Sequence, residues 1–409
     1  MADTWPLHID ANAPNDPVFV GVGELPSGRY PERNFIGDLT HVGLLALADA
    51  RMVPRDVDTI LLIPCLHSPF DQADLIFSRM AEELGLLGHL KSSFMVHSGG
   101  STSDNAVRLA SGLIASGHAR TVLVLHCERW GSADLNAMVT MLSKYGIPNE
   151  WEAPTGLQFN AIGALITRRY MHATQSSAAD MASFCVTLRK WAQLNPNAMY
   201  RGKPLTVEKV LASKVVADPL HALECPMLAD GAVAFVMTSA ENAKVRGLDA
   251  VRVAGSGGSV SHYSVGQEPD LAALGWATAA RRAYEQSGWG PKDAQIAQIY
   301  DTYAAVTTIA VEGLGFCKPG EGARWFASGA ADPGGKLPCN TNGGMLSAGH
   351  TGVGGGTALL VEGVRQLLGR AGPERQVTDV QRCIVGGTGG SYMDAQVLLL
   401  ERRTKGRPS

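Results

Sequence analysis

The chain has 409 residues, 45% of them hydrophobic and 18% charged, and a formal net charge of -3. That is globular composition, long enough for two core-bearing halves at roughly 100–200 residues each. No Lys/Arg run makes a nucleic-acid stripe, no apolar stretch reaches the ~18 residues of a membrane span, and the polar start Met1-Ala2-Asp3-Thr4 has no secretory pattern.

The seven cysteines (65, 127, 185, 225, 317, 339 and 383) are scattered, and none forms a CxxC pair. This argues for a reducing compartment, by default the cytoplasm, and against a disulfide framework or a metal site. The basic end Arg402-Arg403-Thr404-Lys405 reads as a solvated tail.

Strand and helix patterns alternate, which predicts an α/β fold. A first strand is expected over 19–23, a helix over 38–51 and a buried strand over 59–63. Another strand, 94–97, runs into the small-residue turn Ser98-Gly99-Gly100-Ser101. The helix after it, 103–116, carries so many small apolar residues that it is expected to be nearly fully buried. A strand follows over 121–126, and then a mostly helical, insertion-like segment over 131–216. The strand 230–237 closes a first half, 1–245.

The second half, 246–409, repeats this logic. Strands are expected over 251–253, 298–300, 383–386 and 395–400, and helices over 272–287, 305–314 and 357–368. Both halves place a strand, a small-residue turn and a buried helix in the same order, which suggests an internal duplication with a site between the halves. Gly255-Ser256-Gly257-Gly258-Ser259 follows a strand, but it lacks the GxGxxG spacing of a dinucleotide loop.

Four segments resemble the thiolase superfamily in order and spacing over nearly the whole chain. His97-Ser98-Gly99-Gly100-Ser101-Thr102-Ser103-Asp104-Asn105-Ala106-Val107 resembles the nucleophile turn. Ala229-Asp230-Gly231-Ala232 resembles the turn before the strand that closes the first half. Tyr300-Asp301-Thr302-Tyr303 stands where thiolases carry Asn-Glu-Ala-Phe. Asn340-Thr341-Asn342-Gly343-Gly344-Met345-Leu346-Ser347-Ala348-Gly349-His350 resembles the turn that ends in Gly-His.

Gly315-Phe316-Cys317, Gly320-Glu321-Gly322, Leu337-Pro338 and Leu194-Asn195-Pro196-Asn197-Ala198 are similar to the sterol-carrier-protein and lipid-transfer branch. The implied fold is a layered αβαβα arrangement of two similar halves. Both thiolase cysteines are missing. Gly100 stands at the nucleophile position, with Ser101 one residue out of register, and Ile384 stands at the second, with Cys383 one place early.

Glycine cannot replace a thiolate nucleophile, and no base for Ser101 is visible in the sequence. What the resemblance leaves is enolate chemistry. His350 is expected to donate to a thioester oxygen, and Tyr300 to donate or move a proton. Tyr303 and Asp301 lie on the same segment. If the strand continues, Tyr303 faces the other way, and Asp301 equally fits an N-cap of the following helix. Gly100, Ser101, Gly349, Gly387 and Tyr392 are the expected substrate-lining residues.

The resemblance to steroid side-chain-cleaving aldolases implies retro-aldol cleavage of a β-hydroxyacyl-CoA, with coenzyme A as part of the substrate and no covalently bound cofactor. It also implies a homodimer through first-half strands and a small OB-fold, zinc-ribbon accessory protein. The alternatives are an acyltransferase using Ser101 or a thiol supplied by a partner, and a non-catalytic acyl-CoA- or lipid-binding subunit. His97 and His126 read as satisfied core or interface residues, Asp230 as a turn residue, and Cys225 and Cys317 as small buried hydrophobes.

Overall fold

The structure, a computed structural model, describes residues 13–65 and 75–403. In chain order its strands are β1 (Pro17–Gly28), β2 (Thr59–Ile63), β3 (Ser92–Met95), β4 (Thr121–Arg129), β5 (Val215–Ala217) and β6 (Leu220–His221). They continue with β7 (Asp230–Ser239), β8 (Ala250–Val260), β9 (Ile296–Ile299), β10 (Arg382–Gly387) and β11 (Asp394–Arg403). β5 and β6 pair only with each other. The other nine form one sheet in the order β3-β2-β4-β7-β1-β8-β11-β10-β9.

In the first half β1, β7 and β4 are antiparallel neighbours, and β4, β2 and β3 run parallel. In the second half β8, β11 and β10 are antiparallel and β10 and β9 parallel. The second run therefore repeats the pairing sequence of the first. The two join where Val18 pairs with Arg252 and Phe19 with Val251.

Period-two alternation decides what covers each face. Phe19, Leu61, Val122, Val124 and Phe235 pack with Val107 and Ala110 of helix Thr102–Ala115 and with Val361 and Val364 of helix Gly355–Leu367. Val18, Ile60, Leu62, Leu123 and Leu125 face the other way, onto Leu39, Val42 and Ala46 of helix Phe35–Asp49. Each such fully buried aliphatic contributes about 1.5–3 kcal/mol. The two inner helices also pack on each other, which gives the layered α/β architecture. Helix Thr102–Ala115 is less enclosed than expected, because Leu109 and Leu113 are half-buried and Arg108 is exposed.

The glycines at 255, 257 and 258 are not in a loop but inside β8. A Cβ on Gly255 would lie 3.1 Å from the Ser287 amide, and one on Gly257 would lie 2.8 Å from the Ala283 amide. The strand is glycine-rich because helix Trp276–Ser287 lies directly on its backbone. At the other end Arg402 and Arg403 belong to β11, and Arg403 reaches the buried Asp16 at 2.9 Å. Thr404 and Lys405 lie outside the described residues, as does the start of the chain.

The segment 131–216 holds helices Leu135–Tyr145, Phe159–Thr174, Ala178–Leu194 and Val207–Leu211. Ser177 opens the third with a capping box to Asp180, a device that contributes about 1 kcal/mol. The segment packs on second-half helices Ala304–Gly313 and Gly322–Ala327. Tyr170 donates to Glu312 at 2.5 Å and Trp191 to the Ala331 carbonyl at 2.9 Å. No described helix is long and apolar enough to cross a membrane.

Candidate active site

After β3 the chain turns through His97-Ser98-Gly99-Gly100 into helix Thr102–Ala115. Gly99 has φ +64°, and a Cβ there would lie 2.5 Å from the Gly390 amide. This backbone contact joins the turn to the loop that follows β10. Gly100 is closed in differently. A Cβ on it would meet the Thr388 carbonyl oxygen and would lie 2.5 Å from Cζ of Tyr300. The aromatic ring occupies the space that a side chain at position 100 would need.

Tyr300 is held there by its neighbours. Its amide donates to the Gly386 carbonyl at 2.8 Å. One residue earlier, Asn340 clamps Ile299: the Ile299 amide donates to Oδ1 and Asn340 Nδ2 donates to the Ile299 carbonyl, both at 2.7 Å. Thr341 donates to the buried Glu362 at 2.8 Å, which fixes the same turn.

That turn leads to His350. Gly349 has φ +126°, a conformation open to glycine, and a Cβ there would lie 2.8 Å from Cβ of Ser27. His350 is then pinned by its backbone, donating to the Met227 carbonyl at 2.8 Å and accepting from Ala229 at 2.9 Å. Its ring stacks obliquely on Trp130 at 5.3 Å and meets Tyr300 edge-on at 6.4 Å.

β9 ends at Ile299, so Tyr303 is past the strand and does not face the other way; both tyrosines line one cavity. Tyr303 donates to Asn160 at 2.6 Å and meets Tyr392 edge-on at 6.2 Å. Tyr392 has φ +65°, and its hydroxyl lies 3.1 Å from that of Thr302. The cavity, about 240 Å³, takes apolar wall from Trp130, Leu135, Leu142, Phe159 and Val353.

Burial sets the charge of this site. It pushes the Tyr300, Tyr303 and Tyr392 phenols well above their ordinary range and the Cys225 thiol up to about 12. It lowers His350 to about 4, so the imidazole is neutral near pH 7. Nδ1 of His350 is buried with no hydrogen-bond partner among the described residues. An unpaired N–H buried there is costlier than a lone pair, so the proton belongs on Nε2, as a hydrogen-bond donor needs.

Residues 257–402 match the family model described as Thiolase C-terminal domain-like. The chain is 33% identical over 388 residues to the 17-hydroxy-3-oxo-4-pregnene-20-carboxyl-CoA lyase of Mycobacterium tuberculosis, covering 91% of this chain and 96% of that one. It is also 33% identical over 366 residues to the benzoylsuccinyl-CoA thiolase subunit BbsB of Thauera aromatica, covering 88% and 91%. The solved Ltp2-ChsH2(DUF35) aldolase superposes with TM-score 0.83 at 27% identity, over 96% of this chain and all 100% of that one. The chain belongs to the thiolase superfamily.

Against that family frame, the structure brings Gly100, Tyr300, Tyr303, His350 and Tyr392 together around the cavity. It leaves four expected residues outside. Ser101 is buried and its hydroxyl donates to Asp394 at 2.7 Å, so it does not line the cavity as an acyl-accepting serine would. Asp301 caps a different helix from the one expected: its carboxylate accepts from the Met345 and Leu346 amides at 3.0 and 3.2 Å, at the start of helix Gly344–Ser347. Gly387 backs onto Asp104, and Gly349 serves the turn before His350. Cys383 and Ile384, at the family's second cysteine position, are buried inside β10.

Three lining residues read as bland in the sequence or passed over are His97, Cys225 and Asn160. His97 precedes the nucleophile turn, a position that signals its place. Asn160 lies in the middle segment, where no motif marks it. His126 is the core histidine expected, with ring nitrogens 3.3 and 3.2 Å from the Ile63 and Thr351 carbonyls. Asp230 orders a turn, accepting from the Tyr30 and Ser132 amides at 2.7 and 2.8 Å.

Proposed function

We propose that this protein cleaves a β-hydroxyacyl-CoA between Cα and Cβ by a retro-aldol reaction, releasing a ketone and a shortened acyl-CoA. It is a carbon–carbon lyase of CoA thioesters. The relatives include both a lyase and a thiolase subunit, so likeness alone does not choose between the reactions. The placement of Tyr300 carries the choice: its ring fills the space of a nucleophilic side chain at residue 100.

In this reading His350 donates from Nε2 to the thioester oxygen as negative charge develops there. A preorganised donor of this kind is worth roughly 3–4 kcal/mol in the transition state. Tyr300, held as a neutral phenol, supports the enolate and returns a proton to Cα. Asp301 acts through the turn that carries His350. Gly100 and Tyr392 line the acyl group.

A steroid CoA ester is the acyl class suggested by the M. tuberculosis lyase. An accessory protein is suggested by the two-component aldolase, and the family resemblance implies that it is a small OB-fold, zinc-ribbon protein. A homodimer is supported by the edge position of β3, which leaves Phe94 and Met95 exposed. The seven free cysteines suit the cytoplasm.

The test is to incubate the full chain, alone and with such an accessory protein, with 17-hydroxy-3-oxo-4-pregnene-20-carboxyl-CoA. Ketone and shortened acyl-CoA are the expected products, with no acyl adduct on the protein by intact mass. Tyr300→Phe is expected to abolish cleavage while leaving folding intact, and unchanged turnover would sink that role.

A further inference from the structure

Retro-aldol cleavage needs a group that accepts the β-hydroxyl proton. Among the described residues, the acid–base side chains lining the cavity are His97, Cys225, Tyr300, Tyr303, His350 and Tyr392. Burial holds the three phenols and the thiol protonated. Groups held that way donate protons near neutral pH and do not accept them. Tyr303 is also tied to Asn160, and Tyr392 lies against Thr302. His350 has its lone pair on the buried Nδ1 and its N–H toward the thioester, so it too is a donor.

His97 differs from all of these. It stands at the end of β3, in the wall formed with Gly99, Gly100 and Gly390. Its outer side is exposed to solvent, and no hydrogen bond from a described residue occupies its ring. The protein packed on its cavity side lowers it below the ordinary imidazole value, so it enters the cycle neutral. It is a free base at the rim, beside the glycine turn against which Tyr300 packs.

We propose that His97 is the base that takes the β-hydroxyl proton, an assignment that rests on the lyase reading above. An imidazole lone pair takes the proton, and the O–H electron pair becomes the π bond of the departing ketone. The Cα–Cβ pair moves into the enolate, which His350 and Tyr300 stabilise. Tyr300 gives its proton to Cα, and the imidazolium returns one to the phenolate through water at the open rim. Substrate and products balance with no further reactant.

The experiment compares wild type, His97→Ala and His97→Gln as full chains with the accessory protein, on the same steroid CoA ester. Cleavage by His97→Ala is expected to fall by about 10²-fold or more, the typical range for a lost general base. Affinity for an unreactive acyl-CoA should stay within about threefold. Added imidazole should restore the rate of His97→Ala by about tenfold or more, since the rim is open. The acid limb of the wild-type rate profile that belongs to His97 should vanish in His97→Ala.

Wild-type cleavage in His97→Ala overturns the assignment. So does a loss that imidazole does not restore and that lowers acyl-CoA affinity equally. A wild type that cleaves no β-hydroxyacyl-CoA overturns the lyase reading itself and the assignment with it.

Discussion

Gly100 and Tyr300 form one unit, since the first must lack a side chain for the second to stand where it does. Gly100→Ala puts a methyl 2.5 Å from the ring's Cζ and against the Thr388 carbonyl, neither of which is a flexible chain end. The ring must swing into the cavity. Overpacking of this kind costs about 1–3 kcal/mol of stability, visible in urea unfolding. Displacing a proton donor by about 1 Å is expected to cost roughly 10²-fold in cleavage. Gly100→Cys should fare no better and form no acyl-enzyme by intact mass. Wild-type cleavage in Gly100→Ala would mean that Tyr300 does not need that space.

Two buried carboxyls give a second residue-scale expectation. Burial pushes Asp104 and Asp301 up to about 7, against 3.8 in the ordinary state. As pH rises through this window the unfolded chain releases its protons first, so their stabilisation is full below about 4 and is lost by about 7. Their contribution to the urea midpoint should therefore fall between about pH 4 and pH 7, and Asp104→Asn should remove its part of that fall, read as the difference from wild type at each pH. A wild-type midpoint that rises across the window would show that other groups dominate. Asp301 also marks a limit of sequence reading. Its neighbours in the chain pointed to the following helix, whereas the amides it caps, at 345 and 346, reach it only through the fold.

Elements were legible wherever the signal was local. The strands and helices of both halves follow from periodicity, because a strand or helix with one buried face writes that face into a few adjacent residues. β8 was only partly legible. Its Gly255, Gly257 and Gly258 have the composition of a turn, and only the fold explains why a strand needs glycine there: the helix lies on Gly255 and Gly257, and Gln396 and Arg108 crowd Gly258. Gly257→Val should push helix Trp276–Ser287 away from the sheet. The expected loss is about 1–3 kcal/mol or more, measured as a lower urea midpoint. Gly290→Ala, where a Cβ meets nothing within 4 Å, should leave the midpoint near wild type. Equal midpoints for the two would refute the close approach as the reason for the glycines.

The cavity belongs to the whole molecule. Its walls come from the turn after β3, the middle segment, the end of β9, the Gly-His turn and the loop after β10. The motifs announced all of these but the middle segment, whose course depends on packing against the second half and leaves no local trace. Tyr303 is the join. Its ring lies over Gly163, where a Cβ would stand 2.6 Å from Cδ2, and its hydroxyl donates to Asn160 at 2.6 Å. Helix Phe159–Thr174 is thus seated on a tyrosine from the other half of the chain. Asn160→Ala would leave the buried hydroxyl without that acceptor, a loss of about 1–3 kcal/mol. Tyr303→Phe removes the donor as well, so the two changes should not add. A double-mutant cycle on urea stability is expected to give a coupling of about 1 kcal/mol or more. Acyl-CoA KM should rise in each single variant, because the wall carrying Gln158 and Phe159 loosens with Asn160. Strict additivity, with KM unmoved, would mean that apolar packing on Gly163 alone holds this wall and that the hydrogen bond only follows it.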